Sequence, residues 1–193
     1  MNLLENYYKK VIRYDLINKF SYHNLSDIPE LKKIVLNFGC KSFEIKNIAA
    51  SLSALELITT KQGTVTKAKR PNIMLKVRKG HPVGCIVILT KIEMYNFFFK
   101  LLTQVFPNLK DFKGVKVSKK LKPKSFSLTL TDLINFEELE KQFYLFTNLP
   151  PLNIILITNA KNKKELIYLL CNYFDTTIMF FKVLQLVETK EEH

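Results

Sequence analysis

The sequence predicts an α+β fold: a mostly antiparallel sheet with helices packed on one face and a long basic, β-hairpin-like loop. Three observations carry this. Helical and strand periodicities are mixed along the chain without strict β-α-β alternation. The strand-like runs are short and bounded by Gly and Pro. One segment, residues 67–84, is too charged for a core element and too apolar for a plain linker.

Leu4, Tyr7, Tyr8, Val11, Ile12, Asp15, Leu16 and Phe20 keep a helical period, giving a helix over 3–20. Pro29 marks an extended approach to a strand over 31–38, closed by Gly39. Ile45, Ile48, Leu52, Leu55 and Ile58 return to helical spacing, giving a helix over 44–60. Gly63 breaks the chain, the β-prone Thr64-Val65-Thr66 is interrupted by Pro71, and a cationic loop runs to Pro82. Residues 84–90 form the most apolar strand. A helix over 93–106 follows, with Met94, Phe97, Phe98, Leu101, Leu102 and Val105 on one side and Pro107 as its stop. Phe97, Phe98 and Phe99 read as core. Residues 111–124 read as loop, 126–130 as a half-buried strand and 152–158 as another strand. Asn162 with Glu165 three residues on is a capping-box pattern, opening a helix through Leu166, Leu169, Leu170 and Tyr173.

At 193 residues the chain suits one domain, here 1–180, with 181–193 as a C-terminal extension. A hydrophobic content of 47% places it among folded proteins. Cys40, Cys85 and Cys171 lack metal or disulfide spacing, which points to a reducing compartment. The most apolar stretch, 176–187, is short and interrupted by Lys182 and Gln185, so no membrane partner is expected. The N-terminus reads as neither a signal nor a transit peptide. The bias to Lys, Asn, Ile, Leu, Phe and Tyr hints at an A/T-rich, organellar genome.

Charge carries the functional signal. Residues 61–91 hold Lys67, Lys69, Arg70, Lys76, Arg78 and Lys79 without one Asp or Glu. Residues 112–124 hold Lys113, Lys116, Lys119, Lys120, Lys122 and Lys124, again without an acid. With a net charge of +13, these runs point to a polyphosphate partner, RNA or DNA. Solvated faces are the bland alternative for each run. Phe112, between lysines, fits either stacking on RNA or anchoring its loop. In the long loop the cations suit phosphates, and the apolar Ile73, Met74, Leu75 and Val77 suit a nucleoside, a sugar edge or a protein.

Chemistry is poorly supplied. His23, His81 and His193 are scattered, and no zinc, P-loop, nucleophile-elbow or dinucleotide pattern occurs. His81 fits a contact or turn residue better than a base. Asp132 and Glu137 do not stand out as a pair, and no cofactor or metal is expected. Three readings follow: a structural RNA-binding protein, an RNA-processing enzyme using His81, and an adaptor for membrane or protein surfaces.

Several motifs now fit together in order: Tyr7-Tyr8-Lys9, Leu36-Asn37-Phe38-Gly39, Thr66-Lys67-Ala68-Lys69, the K-x-R-x-G-x-P-x-G run from Lys76 to Gly84, Met94 to Phe98, Lys110-Asp111-Phe112-Lys113-Gly114, and Thr158-Asn159-Ala160. Over about Leu4 to Phe174 the chain resembles the large-subunit ribosomal protein L-five family of the central protuberance. The resemblance implies a non-enzymatic constituent of the large subunit whose sheet faces RNA. Its implied partners are 5S rRNA, large-subunit rRNA, peptidyl-site tRNA and neighbouring ribosomal proteins, including the small-subunit head. It assigns rRNA binding to Asn37, Lys61, Gln62, Thr90, Lys113, Lys116, Lys119 and Lys120. It assigns the tRNA-proximal loop to Lys69, Arg70, Asn72, Met74, Lys76, Arg78, Lys79 and His81.

Two departures bear on this. The family's usual Gly-Gln-Lys-Pro after the second helix is Thr60-Lys61-Gln62-Gly63 here, and sheet positions typically Thr and Arg are Ile88 and Thr90. The alternative is therefore a mitoribosomal RNA-binding protein that no longer binds 5S rRNA directly. The segment 126–145 looks closer to mitochondrial members, which implies a mitochondrial, organelle-encoded protein. The acidic tail from Glu188 lies outside the resemblance.

Overall fold

A computed structural model of the chain describes residues 3–40, 45–74, 76–109 and 122–175. Five strands form one antiparallel sheet: β1 (Leu31–Gly39), β2 (Thr64–Lys67), β3 (Pro82–Thr90), β4 (Ser125–Leu130) and β5 (Leu152–Thr158). Their spatial order is β2-β3-β1-β5-β4. The chain divides into two compact units, Met1–Lys33 with Thr90–Phe126 and Leu156–His193, and Ile34–Leu89 with Ser127–Ile155.

The first unit is built on three helices. The first runs continuously over 3–19, with a wider π turn at Tyr8–Ile12. Its buried residues are Leu4, Tyr8, Ile12 and Leu16, one every fourth position, as a single buried stripe requires. Tyr7 and Asp15 are only half-buried, and Val11 is exposed, so the stripe is narrower than the expected one. The next helix of this unit covers 91–108 and buries Met94, Phe97, Phe98, Leu101, Leu102 and Val105, as the periodicity predicts. Phe99 departs from the core expectation. It is 39% exposed, because the helical period turns it away from the face that Phe97 and Phe98 share. Pro107 lies inside the last turn, one residue before the helix ends at Asn108.

The C-terminal helix, Lys163–Asp175, supplies Leu166, Leu169, Leu170, Tyr173 and Phe174 to the same core. The Tyr173 ring stacks on Tyr8 at 6.4 Å and meets Phe98 edge-on at 5.3 Å, while Phe106 meets Phe174 at 6.3 Å. Such aromatic pairs add roughly 0.5–1.5 kcal/mol each beyond their burial. The helix start is capped by Glu165, whose carboxylate accepts from the Lys161 and Asn162 backbone N–H groups at 3.0 and 3.4 Å. That is the glutamate half of the capping box. Asn159 ties this unit's loops together. Its Oδ1 accepts from the Glu30 N–H at 2.6 Å, and its Nδ2 donates to the Ser26 and Ile28 carbonyls at 3.2 and 3.1 Å.

In the second unit the helix Ile45–Thr59 lies under the sheet. Ile48, Ser51, Ala54, Leu55 and Ile58 are buried, but Ile45 is 80% exposed and Leu52 only half-buried. Ile45 opens the helix, before the buried stripe begins at Ile48. The Cys85 thiol donates to the Ile48 carbonyl at 3.5 Å, so β3 sits directly on this helix. Burial pushes the Cys85 thiol up to about 11, with the Cys40 thiol adding to the shift. A short helix, Glu137–Glu140, and a single turn at Phe143–Leu145 occupy a stretch where the sequence reading assigned no element. No helix among the described residues is long and apolar enough to cross a membrane.

Candidate nucleic-acid interface

The second unit gives the sheet two unlike faces. Along β1, burial alternates cleanly from Ile34 to Phe38: Ile34, Leu36 and Phe38 point inward, Val35 and Asn37 outward. Along β3, Cys85, Val87 and Leu89 are buried, while Ile86 is half-buried and Ile88 is 45% exposed. Outward residues of β4 and β5 are Ser127, Thr129, Asn153 and Ile155. The inner face is closed by the helix Ile45–Thr59, and the outward side chains named here are half-buried or exposed. A face mixing amides, hydroxyls and aliphatic groups can hydrogen-bond and pack against nucleotides at once.

Asn37 sits in the middle of this face. The Cys40 N–H donates to the Val83 carbonyl at 2.9 Å, which sets the β1–β3 register and puts Asn37 opposite Ile86. Ile86 in turn pairs with Thr64 on β2. The Asn37 amide has no side-chain partner among the described residues, so both its donors and its acceptor remain available. Asn153 differs: its Oδ1 accepts from the Thr129 hydroxyl at 2.8 Å, a cross-strand pair.

The close fit of β3 to β1 depends on Gly84. A Cβ there would lie 2.3 Å from the Phe38 carbonyl oxygen. Gly80 has φ +91, which L side chains rarely adopt. Two of the glycines in the K-x-R-x-G-x-P-x-G run thus have a backbone reason to be glycine.

The segment between β2 and β3 is folded rather than open. The Ala68 N–H donates to the His81 carbonyl at 2.8 Å, and the Gly80 N–H to the Ala68 carbonyl at 2.9 Å. Farther out, Asn72 and Val77 exchange two backbone hydrogen bonds, at 2.8 and 3.0 Å. The Lys76 N–H donates to the Ile73 carbonyl at 3.1 Å and closes the tip. At the base, the Arg78 N–H donates to His81 Nδ1 at 3.4 Å, the turn role foreseen for His81. Ile73 and Met74 are 93% and 94% exposed at the tip.

Lys69, Arg70, Asn72, Lys76, Arg78 and Lys79 are all exposed along this hairpin, and His81 is half-buried. None of its Lys or Arg side chains forms an ion pair among the described residues. Gln62 is exposed and Lys61 half-buried in the turn after the helix Ile45–Thr59. Thr90, in the first unit, is exposed at the end of β3. Lys113, Lys116, Lys119, Lys120 and Phe112 lie outside the described residues, as do the stretch 176–187 and the acidic tail. Lys122 and Lys124 are exposed beside β4. Composition alone could not show the folded hairpin, because its backbone pairings follow no apolar alternation. Among the described residues, no group of three or more His, Cys, Asp or Glu could hold a metal ion.

Comparison with known proteins agrees with this architecture. Residues 82–177 match the model of the C-terminus of the ribosomal L-five protein family. The chain is 41% identical over 167 residues to large ribosomal subunit protein uL5m of Reclinomonas americana, covering 86% of this chain and 92% of that protein. It is 35% identical to uL5 of Wigglesworthia glossinidia brevipalpis, covering 84% and 91% of the two chains. It is 33% identical to uL5 of Nitrosomonas europaea, covering 86% and 92%. With most of both chains aligned at this identity, the protein belongs to the uL5 family of large ribosomal subunit proteins, structural constituents of the ribosome rather than enzymes.

Proposed function

We propose that this chain serves the large subunit of a mitochondrial ribosome, binding 5S rRNA and large-subunit rRNA in the central protuberance and reaching peptidyl-site tRNA with the 67–84 hairpin. The observation that carries the reading is the cationic hairpin. It joins the edge strand β2 of the sheet to its neighbour β3, and none of its cations is neutralised by the chain's own carboxylates among the described residues. An exposed set of unpaired cations releases counterions from a nucleic acid on binding. The outer face supplies the amide of Asn37 for base or sugar contacts. The 41% identity to a protein named uL5m supports the mitochondrial assignment, and the A/T-biased composition supports an organellar gene.

A second reading has one observation in its favour. Ile88 is 45% exposed on the outer face and offers methyl groups where a 5S contact calls for polar atoms. Under that reading the chain holds large-subunit rRNA and tRNA without direct 5S contact. Filter binding of the purified protein to 5S rRNA, to a large-subunit rRNA fragment and to tRNA separates the two. Tight 5S binding supports the first reading. Binding of the fragment and tRNA without 5S supports the second, and binding of none refutes both.

A further inference from the structure

We propose that Val77 is a positioning residue that holds the hairpin tip in a preformed shape, so that Ile73, Met74 and the surrounding cations meet RNA without a prior ordering step. The inference rests on the proposed RNA role of this hairpin and adds how the tip is set. From Lys69 to Gly80 every described side chain is exposed except one: Val77 is 6% exposed. Its backbone is also one half of a reciprocal pair at the tip, with Asn72.

The tip is therefore held from two directions. Inward burial of the Val77 side chain fixes where the tip sits, and the Asn72–Val77 and Lys76–Ile73 hydrogen bonds fix its shape. Hydrogen bonds at an exposed tip open readily unless a buried apolar group holds them closed. A segment carrying Lys69, Arg70, Lys76, Arg78 and Lys79 also repels itself, which favours opening. Val77 is the one described side chain in the hairpin placed to oppose that. A preformed tip loses less conformational freedom on binding, which favours a contact made by few residues.

Limited trypsin digestion of the full chain tests the anchor, because Lys76, Arg78 and Lys79 flank Val77 and are cleaved only when the tip opens. Val77→Ala should be nicked at these sites about tenfold faster than the unaltered chain. Val77→Ile, which keeps the apolar plug, should stay resistant. Equal resistance of Val77→Ala and the unaltered chain overturns the anchor. The RNA consequence is read by tRNA footprinting on ribosomes carrying each variant. Protection should weaken about tenfold in Val77→Ala and persist in Val77→Ile. Faster nicking with unchanged tRNA protection overturns the positioning role. A control with Lys76, Arg78 and Lys79 all changed to Gln separates the two ideas. If that control leaves protection unchanged, the tRNA reading fails, whatever the trypsin result says about the anchor.

Discussion

Gly84 approaches the backbone of Phe38 so closely that a Cβ would lie 2.3 Å from the Phe38 carbonyl oxygen and 3.2 Å from Thr66 Oγ1. The nearest obstacle is backbone, so no side-chain rotation relieves it. Gly84→Ala must force β3 away from β1, at a cost of about 3 kcal/mol, the upper part of the overpacking range. Urea denaturation measures this as a lower midpoint. The same displacement disturbs the row Thr64–Ile86–Asn37, so RNA affinity should fall with stability. A midpoint unchanged from that of the unaltered chain refutes the close-approach argument.

Thr60 ends the helix Ile45–Thr59 with φ +55, and its N–H donates to the Glu56 carbonyl at 2.8 Å. A β-branched residue is poorly suited to this left-handed conformation, which costs a non-glycine residue roughly 1–2 kcal/mol. Thr60→Gly removes that strain and returns part of the gain as unfolded-chain entropy, about 0.5–1 kcal/mol. The net expectation is a gain of about 0.5–1 kcal/mol, a rise of ~2 °C in Tm for a chain of this size. A fall in Tm shows that the Thr60 hydroxyl bond to the Thr59 carbonyl outweighs the strain.

The buried tyrosines of the first unit predict the response to alkali. Burial raises the phenols of Tyr8, Tyr95 and Tyr173 above their ordinary value of about 10. Tyr22 is pushed up to about 12 by burial, with the Glu165 charge adding to it. A folded value above the unfolded one means that the folded chain holds more protons. Stability is therefore unaffected below about pH 10 and falls as pH climbs through the folded values. Absorbance at 295 nm, followed beside circular dichroism, reports this ionisation together with the state of the fold. The buried group should ionise only as helical signal is lost. A single tyrosine transition near pH 10 with the fold intact contradicts this assignment.

Asn37 gives the sharpest test of the sheet face. Its amide makes no side-chain hydrogen bond among the described residues, so Asn37→Ala should leave Tm nearly unchanged. If the amide is buried against RNA, the same change should weaken rRNA affinity by about 1–3 kcal/mol. Equal affinity of the two proteins rules out a role for this amide.

How much of this was legible in the sequence differs by element. The helix 91–108 was readable because its apolar residues repeat at helical spacing, and β5 because it is a short apolar run between turn residues. Asn37 entered through the resemblance alone, and its outward place between the buried Leu36 and Phe38 came from the structure. Phe99 was misplaced because periodicity identifies a stripe but not how wide it is. The hairpin was visible as a charged segment, but its pairing of Asn72 with Val77 was not. Backbone hydrogen bonds at an exposed tip leave no apolar pattern to read, and one buried valine among exposed residues looks like noise.

The last prediction weighs the hairpin cations together. Lys69, Arg70, Lys76, Arg78 and Lys79 are exposed and form no ion pair among the described residues, so replacing all five with Gln removes no internal support. The variant should fold with an unchanged Tm. Each phosphate contact contributes about 0.9 to the slope of log affinity against log salt for a duplex, and about 0.7 for a single strand. If most of the five meet phosphates, the slope for rRNA or tRNA binding should flatten by roughly three to four. The measurement is a filter-binding series across salt concentrations, with the Asn37→Ala protein as a comparison. That variant should lose affinity at every salt concentration while keeping its slope, because an amide displaces no counterion. A five-fold Gln variant with an unchanged slope means that these side chains face solvent in the complex and that the phosphate contacts lie elsewhere on the chain.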